Sequence, residues 1–528
     1  MRPRRPRPSR PRTPRRSRRR SRSGSVRASG SRRSAAPPPV SSSRAGRGVV
    51  DVVGAGPNGL AAAIVLGRAG VRVRLWESAE TPGGGSRSRE LLEPGTWHDV
   101  CAAVLPGVLS SPFLRSLGLS DRLDLVVPEV AYAQPVAGDR SVYACTDLAA
   151  TVEGLGRDGR GWQRVFGPLV DRAEDVARLV GGNPLAAATR PGLALRYGLP
   201  ALRQWSPLPA LRALTGGAAD LFSGVAAHVH HRLDALSAPL TGLALATQAH
   251  GFGWPVVVGG SQRVVDVLVE EARSVGVEIT CGARITSLDQ LPPRDAVLFA
   301  TSVPELLRIG GTAVPGPYRA LARRVRRGAA VGKVDLIVSE PVPWRDPGLR
   351  RASTIHLGGS AADLARAERD VARGRVPEHP VVLVSAPTDH DPSRSASGHH
   401  VLWAYAHLPS GWAGDPTALV LAEIERWAPG FTDTVVASTA RSAPAMEREN
   451  PAYDGGDIYS GALTSQQALL RPVPALNPWR VGRSDLYLGS AAAAPGPGVH
   501  GMNGYHAART LLRHTYGRRD AVVEAPST

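Results

Sequence analysis

Apolar residues in this chain gather in short runs that glycines close. Val49–Val53, a β-branched run, enters Gly54-x-Gly56-x-x-Gly59. Ten mostly apolar residues lead on to Gly70, and a second run, Val71–Trp76, stops on Glu77. This order predicts strand, tight turn, helix and second strand. Further on, Val264, Val265, Leu268, Val269 and Ala272 fall at helical spacing within Arg263–Gly276. Short strands are expected at Val277–Cys281, Arg284–Leu288 and Asp295–Ala300, and an alternating one at Lys333–Ser339. Asp485–Leu488 reads as a last strand, followed by a helix over Tyr505–Leu512. Residues 160–250 read as helix-forming sequence broken by Pro191, Pro200, Pro207 and Pro209, and 85–145 as loop-rich. Strands that alternate with helices and return late in the chain predict an α/β fold.

Each part of the first motif has a physical task. Gly54 permits the tight turn, Gly56 lets the first helical turn approach a pyrophosphate, and Gly59 lets the helix lie close on the sheet. The free N–H groups at the helix start favour phosphate. Glu77 can accept both hydroxyl protons of an adenosine ribose, and an acid there disfavours a 2′-phosphate and hence NADP. Pro82-Gly83-Gly84-Gly85-Ser86-Arg87-Ser88-Arg89 follows at once. Backbone room and positive charge beyond the ribose suit a long flavin dinucleotide better than NAD, so FAD is the expected cofactor. As an alternative, Arg87 and Arg89 are solvated turn residues.

Charge changes the picture less than its total suggests. The formal net charge is +19, but residues 1–47 hold 17 arginines and no acid, leaving 47 basic against 45 acidic residues after them. The body is near neutral and shows no basic stripe for nucleic acid. The first 47 residues are Arg, Ser and Pro with little to bury, and are expected to be disordered. Nonspecific binding to nucleic acid or an anionic membrane is open to such a tail. An upstream extension from a misassigned start codon is the favoured account. No apolar segment follows Arg32-Arg33 as an export signal requires, and prolines deny an amphipathic presequence helix. Lys333 is the sole lysine beside 63 arginines. Cys101, Cys145 and Cys281 form no CxxC pair, which excludes dithiol redox chemistry and zinc or iron–sulfur spacings. No window reaches 18 apolar residues, so no membrane span is expected.

A second glycine-rich stretch, LYLGSAAAAPGPGVHGMNGYHAARTL, occupies 486–511. Again a strand leads through glycines to a helix start, far from the first fingerprint, as two parts of one long ligand would require. Together with the opening motif, this stretch resembles the phytoene desaturase-like branch of the flavoprotein amine-oxidase superfamily. Trp97-His98-Asp99, Ser110-Ser111-Pro112-Phe113, Pro341–Trp344, His356–Gly359, Trp403–Pro409, Trp427–Phe431 and Asn450–Gly461 carry the resemblance further. The likeness is greater to the proteins related to pyridine nucleotide-disulfide oxidoreductase domain-containing protein 2 than to carotenoid-pathway desaturases. The resemblance implies a Rossmann-type FAD-binding domain (48–130, 251–310 and 476–520) interleaved with an α+β substrate-binding domain (131–250 and 311–475). The tail 1–47 and a flexible end, 521–528, flank them. It further implies that Gly259-Gly260 marks the return to the flavin domain, that the backbone near Arg284-Ile285 meets adenine, and that the last loop passes the pyrimidine end of the flavin. The expected cofactor-binding residues are Gly54, Gly56, Pro57, Asn58, Gly59, Glu77, Ser78, Gly83, Gly84, Gly85 and Arg87, then Ile285, then Ser490, Gly498, Val499, His500, Gly501 and Met502. Two departures stand out. Ala494 replaces a frequent family histidine, and Pro497 replaces a glycine and so lacks an N–H.

Hydride transfer to a flavin needs placement and exclusion of water more than a catalytic triad, and no hydrolase or metal motif is visible. His500, Lys333 and Asn503 are the candidate catalytic residues, with Lys333 at the start of an amphipathic strand and His356 bonding locally. The expected activity is oxidation of a hydrophobic, isoprenoid or lipid-like molecule, with oxygen or a quinone as final acceptor. The alternatives are a non-catalytic FAD-containing scaffold, an amine oxidase, or an isomerase. A cytoplasmic monomer or homodimer, with peripheral membrane contact left open, completes the expectation.

Overall fold

A computed structural model describes residues 48–206 and 208–518. The expected tail 1–47, the end 521–528 and Pro207 lie outside the described residues.

Two sheets organise the chain. The first has five parallel strands in the order Leu486–Leu488, Ala296–Phe299, Val49–Val53, Arg72–Trp76, Glu278–Thr280. Val50, Val52, Val73, Leu75 and Leu298 are buried in it, as the apolar runs predict for a sheet covered on both faces. Asp51 is fully buried in the first strand, and Arg74 and the Trp76 indole N–H donate to its carboxylate at 2.8–2.9 Å. Helices Pro57–Arg68, Gln262–Ser274 and Met502–Tyr516 share a core with this sheet. The last helix lies against the first: a Cβ on Gly504 would stand 2.9 Å from the Ala62 nitrogen.

The second sheet has seven strands in the order Val435–Arg441, Ala330–Val338, His400–Leu408, Val382–Ser385, Ala352–Leu357, Val130–Ala137, Arg140–Cys145. Its neighbours are antiparallel except for the parallel pair 352–357 and 130–137. A helical layer over residues 148–252 packs on it through Trp162, Phe166, Leu221, Phe222 and Leu243. The fold is thus an α/β Rossmann-like unit interleaved with a mixed-sheet substrate region.

Three expectations need correction. Residues 85–145 are not mainly loop: they include the hairpin Ser88–Glu90/Trp97–Asp99 and two strands of the large sheet. Arg284–Leu288 forms no strand, because the Gln290 side chain takes the N–H groups of Thr286 and Ser287 at 2.6 and 3.1 Å. Pro200 does not break its segment. Pro191 opens a helix, Pro191–Trp205, that runs through Pro200.

Candidate active site

The first strand delivers the chain to Gly54 at φ +103°, a backbone conformation that side chains rarely adopt. Its N–H donates to the Trp76 carbonyl at 2.8 Å, locking the turn to the neighbouring strand. Gly59 and Gly56 then have separate duties. A Cβ on Gly59 would overlap the Gly54 carbonyl and stand 3.1 Å from the Ala300 Cβ. One on Gly56 would meet nothing nearer than the Gly84 Cα at 3.6 Å. Gly59 therefore closes the packing, whereas Gly56 and Gly84 keep a cradle open at the start of the helix Pro57–Arg68.

Glu77 ends the second strand and is buried. One carboxylate oxygen accepts from the Ala55 N–H at 2.8 Å, the other from the Ala79 N–H at 2.9 Å and from Arg87 at 3.3 Å. Arg87 also donates to the carbonyls of Thr81 and Gly84. It is a buried brace of the cradle and not a solvated turn residue; Arg89 is exposed. Gly83, at φ +154°, donates its N–H to the Ala55 carbonyl at 3.0 Å and holds the glycine loop against the first turn.

A single cavity of about 730 Å³ joins these parts, within the ~300–1,000 Å³ usual for small-molecule sites. Gly54, Gly56, Pro57, Asn58, Gly59, Glu77, Ser78, Gly84, Gly85, Arg87 and Ile285 line one section. Ser490, Gly498, Val499, His500 and Met502 line another, and Trp254, Trp403, Tyr405, Tyr453 and Tyr459 give it an aromatic section. Among the buried polar atoms of lining residues that have no hydrogen-bond partner among the described residues, Ser86 Oγ and Arg87 Nε are donors beside the glycine cradle. A buried polar atom without a partner is costly. Unmet donors beside an open glycine cradle fit a bound pyrophosphate group.

The predicted catalytic residues divide. His500 lines the cavity, its Nδ1 accepting from the Met502 N–H at 3.0 Å. Burial holds its imidazole down at about 4, so the ring is neutral and its remaining proton sits on Nε2, beside the Pro497 and Gly496 carbonyls. Both ring nitrogens thus serve the loop. Lys333 does not line the cavity. It is the fourth residue of a nine-residue strand buried along its whole length, not the start of an amphipathic one. Its ammonium pairs with Asp335 and lies 5.0 Å from the Trp403 ring centre. Burial lowers Lys333 to about 8. Burial also pushes the Asp335 carboxyl up, but Lys333, His98 and Arg441 outweigh it and hold the group at about 2. Asn503 is fully buried and donates to the Ala493 carbonyl at 2.9 Å, an internal tie outside the cavity lining. Gly501 also serves packing: at φ +67° it caps the last helix, and a Cβ would stand 2.7 Å from the Phe113 ring.

The chain matches the NAD(P)-binding Rossmann-like domain model over residues 52–117. It is 26% identical over 545 residues to mouse pyridine nucleotide-disulfide oxidoreductase domain-containing protein 2, spanning 88% of this chain and 93% of that one. The chain is a Rossmann-fold oxidoreductase related to that protein. It is also similar to hydroxyneurosporene desaturase of Cereibacter sphaeroides, at 27% identity over 515 residues, 88% of this chain and 97% of the other. Among solved structures, putrescine oxidase with bound putrescine shares the fold, with a TM-score of 0.57 at 17% identity over 89% of this chain and 99% of that one.

Sequence reasoning missed the histidines beneath the aromatic section. His356 does not bond locally; its Nε2 lies 2.9 Å from Nε2 of His228, which lines the cavity. Burial lowers His228 to about 3 and His356 well below its usual value, so both rings are neutral at pH 7. Nearby, His230 meets the Tyr405 hydroxyl at 3.2 Å, and His407 pairs with Glu368. His228-Val229-His230 could have drawn notice in the sequence, but nothing there pairs it with residues 356 and 405.

Proposed function

We propose that the chain is an FAD-dependent oxidoreductase acting on a hydrophobic small molecule. What supports this reading most is the continuity of one cavity. Two glycine-rich half-sites, at 54–59 and 490–502, line it together with a set of aromatic residues. A nicotinamide dinucleotide alone gives no reason for both half-sites to share one cavity. When bound, the flavin supplies a two-electron acceptor for a hydride.

The chain's own residues divide the remaining work. Gly56, Gly84 and the amides that open the helix Pro57–Arg68 receive the pyrophosphate, and Glu77, Ser78 and Ile285 bound the adenosine end. Ser490, Gly498, Val499, His500 and Met502 bound the flavin ring end, where Pro497 donates nothing. Trp254, Trp403, Tyr405, Tyr453 and Tyr459 give the substrate an apolar wall and keep water out. His228 and His356, both neutral, add no charge there. Lys333 and Asn503 position neighbouring elements, and His500 braces the loop. The final acceptor is oxygen or a quinone.

Protein purified from residues 48–528 should be yellow and release FAD, not FMN, on denaturation. Anaerobic stopped-flow with NADH, NADPH, amines and long-chain polyenes in detergent separates the branches. Bleaching confined to the lipid-like compounds supports the reading, and rapid bleaching by an amine moves the chain to the amine-oxidase branch. Rapid bleaching by NADPH, or a colourless protein that takes up no added FAD, overturns it.

A further inference from the structure

The helix Pro191–Trp205 has two unlike faces. On its inner side Ala194, Tyr197 and Gly198 line the cavity, and the Tyr197 hydroxyl donates to the Leu240 carbonyl. On its outer side Leu195, Leu199, Leu202 and Trp205 are 40–65% exposed, and the turn that follows adds Leu208 and Leu211 at 60% and 54%. Leu469, 40% exposed, also lines the cavity, and its helix Ser465–Leu470 lies against Pro184–Thr189, which leads into Pro191–Trp205, so the interior reaches the surface near the start of the patch. Exposed apolar side chains scattered singly are ordinary, but a contiguous set marks a contact surface.

Charge indicates what covers the patch. Residues 176–219 contain five arginines and no acid, in a body that is otherwise near neutral. Arg196 and Arg203, both exposed, sit seven residues apart on one flank of the apolar stripe, and Arg190 and Arg212 are exposed at its ends. An apolar stripe edged with arginine is the pattern of a helix lying in a membrane interface. There the apolar face sinks about 5–10 Å, and the guanidinium groups reach back to anionic headgroups. A second copy docked on the same patch would set arginine against arginine, and the acid beside Trp205, Asp234, is already paired with Arg232, which disfavours a symmetric dimer here.

We propose that the outer face of Pro191–Trp205, with Leu208 and Leu211, seats the protein on an anionic lipid bilayer. The interior then opens toward the lipid beside Leu469, so an apolar substrate enters without crossing water. That entry route rests on reading the aromatic section as a substrate site; the docking face does not.

The test uses the full chain, whose Arg-rich first 47 residues can attract anionic vesicles by charge alone. The readout is therefore insertion: quenching of tryptophan fluorescence by phosphatidylcholine/phosphatidylglycerol vesicles with brominated acyl chains, at high salt and without substrate. Wild type should be quenched, and Trp205→Phe, which keeps the apolar face, should lose most of the quenching. Leu195→Ser/Leu199→Ser/Leu202→Ser leaves the charge unchanged and should lower vesicle partitioning on the order of tenfold or more, with circular dichroism and the thermal midpoint as checks of folding. An unquenched wild type, quenching that survives Trp205→Phe, or unchanged partitioning of the folded triple variant overturns the proposal. So does light scattering that shows a dimer which the triple variant disperses. Since no step requires turnover, failure here is distinct from failure of the oxidoreductase reading.

Discussion

Gly56→Ala and Gly59→Ala should separate cofactor binding from folding, although the two glycines lie three residues apart on one turn. Gly56 has φ −75° and ψ 174°, which alanine adopts without strain, and its new methyl would sit 3.6 Å from the nearest atom. The fold should therefore tolerate Gly56→Ala, with a gain of ~0.4–1 kcal/mol from a stiffer unfolded chain. The same methyl occupies the space assigned to the pyrophosphate. Overpacking a tight site costs ~1–3 kcal/mol, so affinity for FAD should fall about 5- to 150-fold. Gly59→Ala meets the Gly54 carbonyl head-on, with the Ala300 Cβ 3.1 Å away, so helix and strand must part. Its stability should drop by several kcal/mol, out of proportion to one methyl. Thermal melts of the apoproteins give the first quantity, and titration with FAD followed by flavin fluorescence gives the second. A Gly56→Ala protein that binds FAD like wild type would refute the cradle. A Gly59→Ala protein that melts like wild type would refute the packing argument.

Arg394→Met should cost about 3–5 kcal/mol in urea denaturation, because it strands Asp99 and Asp391, each paired with the buried guanidinium at 2.9 Å; a loss under ~1 kcal/mol would show that the pair is dispensable. Glu77→Ala should cost about 1–3 kcal/mol by freeing the Ala55 N–H and Arg87, and it should also weaken FAD binding; an unchanged melt excludes the first role. Burial lowers His228 to about 3 and His250, His500 and His506 to about 4. Between pH ~6.5 and ~4 the unfolded chain therefore binds protons that the fold refuses, so stability is full above ~6.5 and falls with pH, by about 1 kcal/mol per histidine at pH ~5.5. Denaturant midpoints that stay flat from pH 7 to 5 would contradict this; Asp335, held at about 2, adds its own loss only below about 4.

The first fingerprint was legible because its chemistry is local. Strand, glycines, helix and acid lie within 29 consecutive residues, and each glycine answers to a neighbour in the same turn. Lys333 was misread for the opposite reason. A lone lysine beside valines looks like a strand end, and only the structure shows that its strand has a neighbour on each edge and is buried on both faces. The pairs His228–His356 and Asp99–Arg394 join residues 128 and 295 positions apart, and no periodicity in a sequence encodes such partners. Loop geometry was equally hidden: Gln290 reaching back to Thr286 and Ser287 replaces a strand that apolar content alone suggested.

The strand order of the small sheet has a consequence for how the protein is made. The strand next to Ala296–Phe299 is Leu486–Leu488, and the helix that closes on Pro57–Arg68 begins only at Met502. During synthesis at ~5–20 residues per second, the first fingerprint therefore waits about 20–90 s for its last partners. Gln262–Ser274 can cover part of Pro57–Arg68 earlier, but until the end of that wait the side that meets Met502–Tyr516 stays bare and the dinucleotide cradle has no second wall. The protein should thus acquire its ligand at the end of translation, after long-range contacts that form slowly. A chain cut short before Met502 should go to the chaperones or proteases of the cell, however complete its larger sheet.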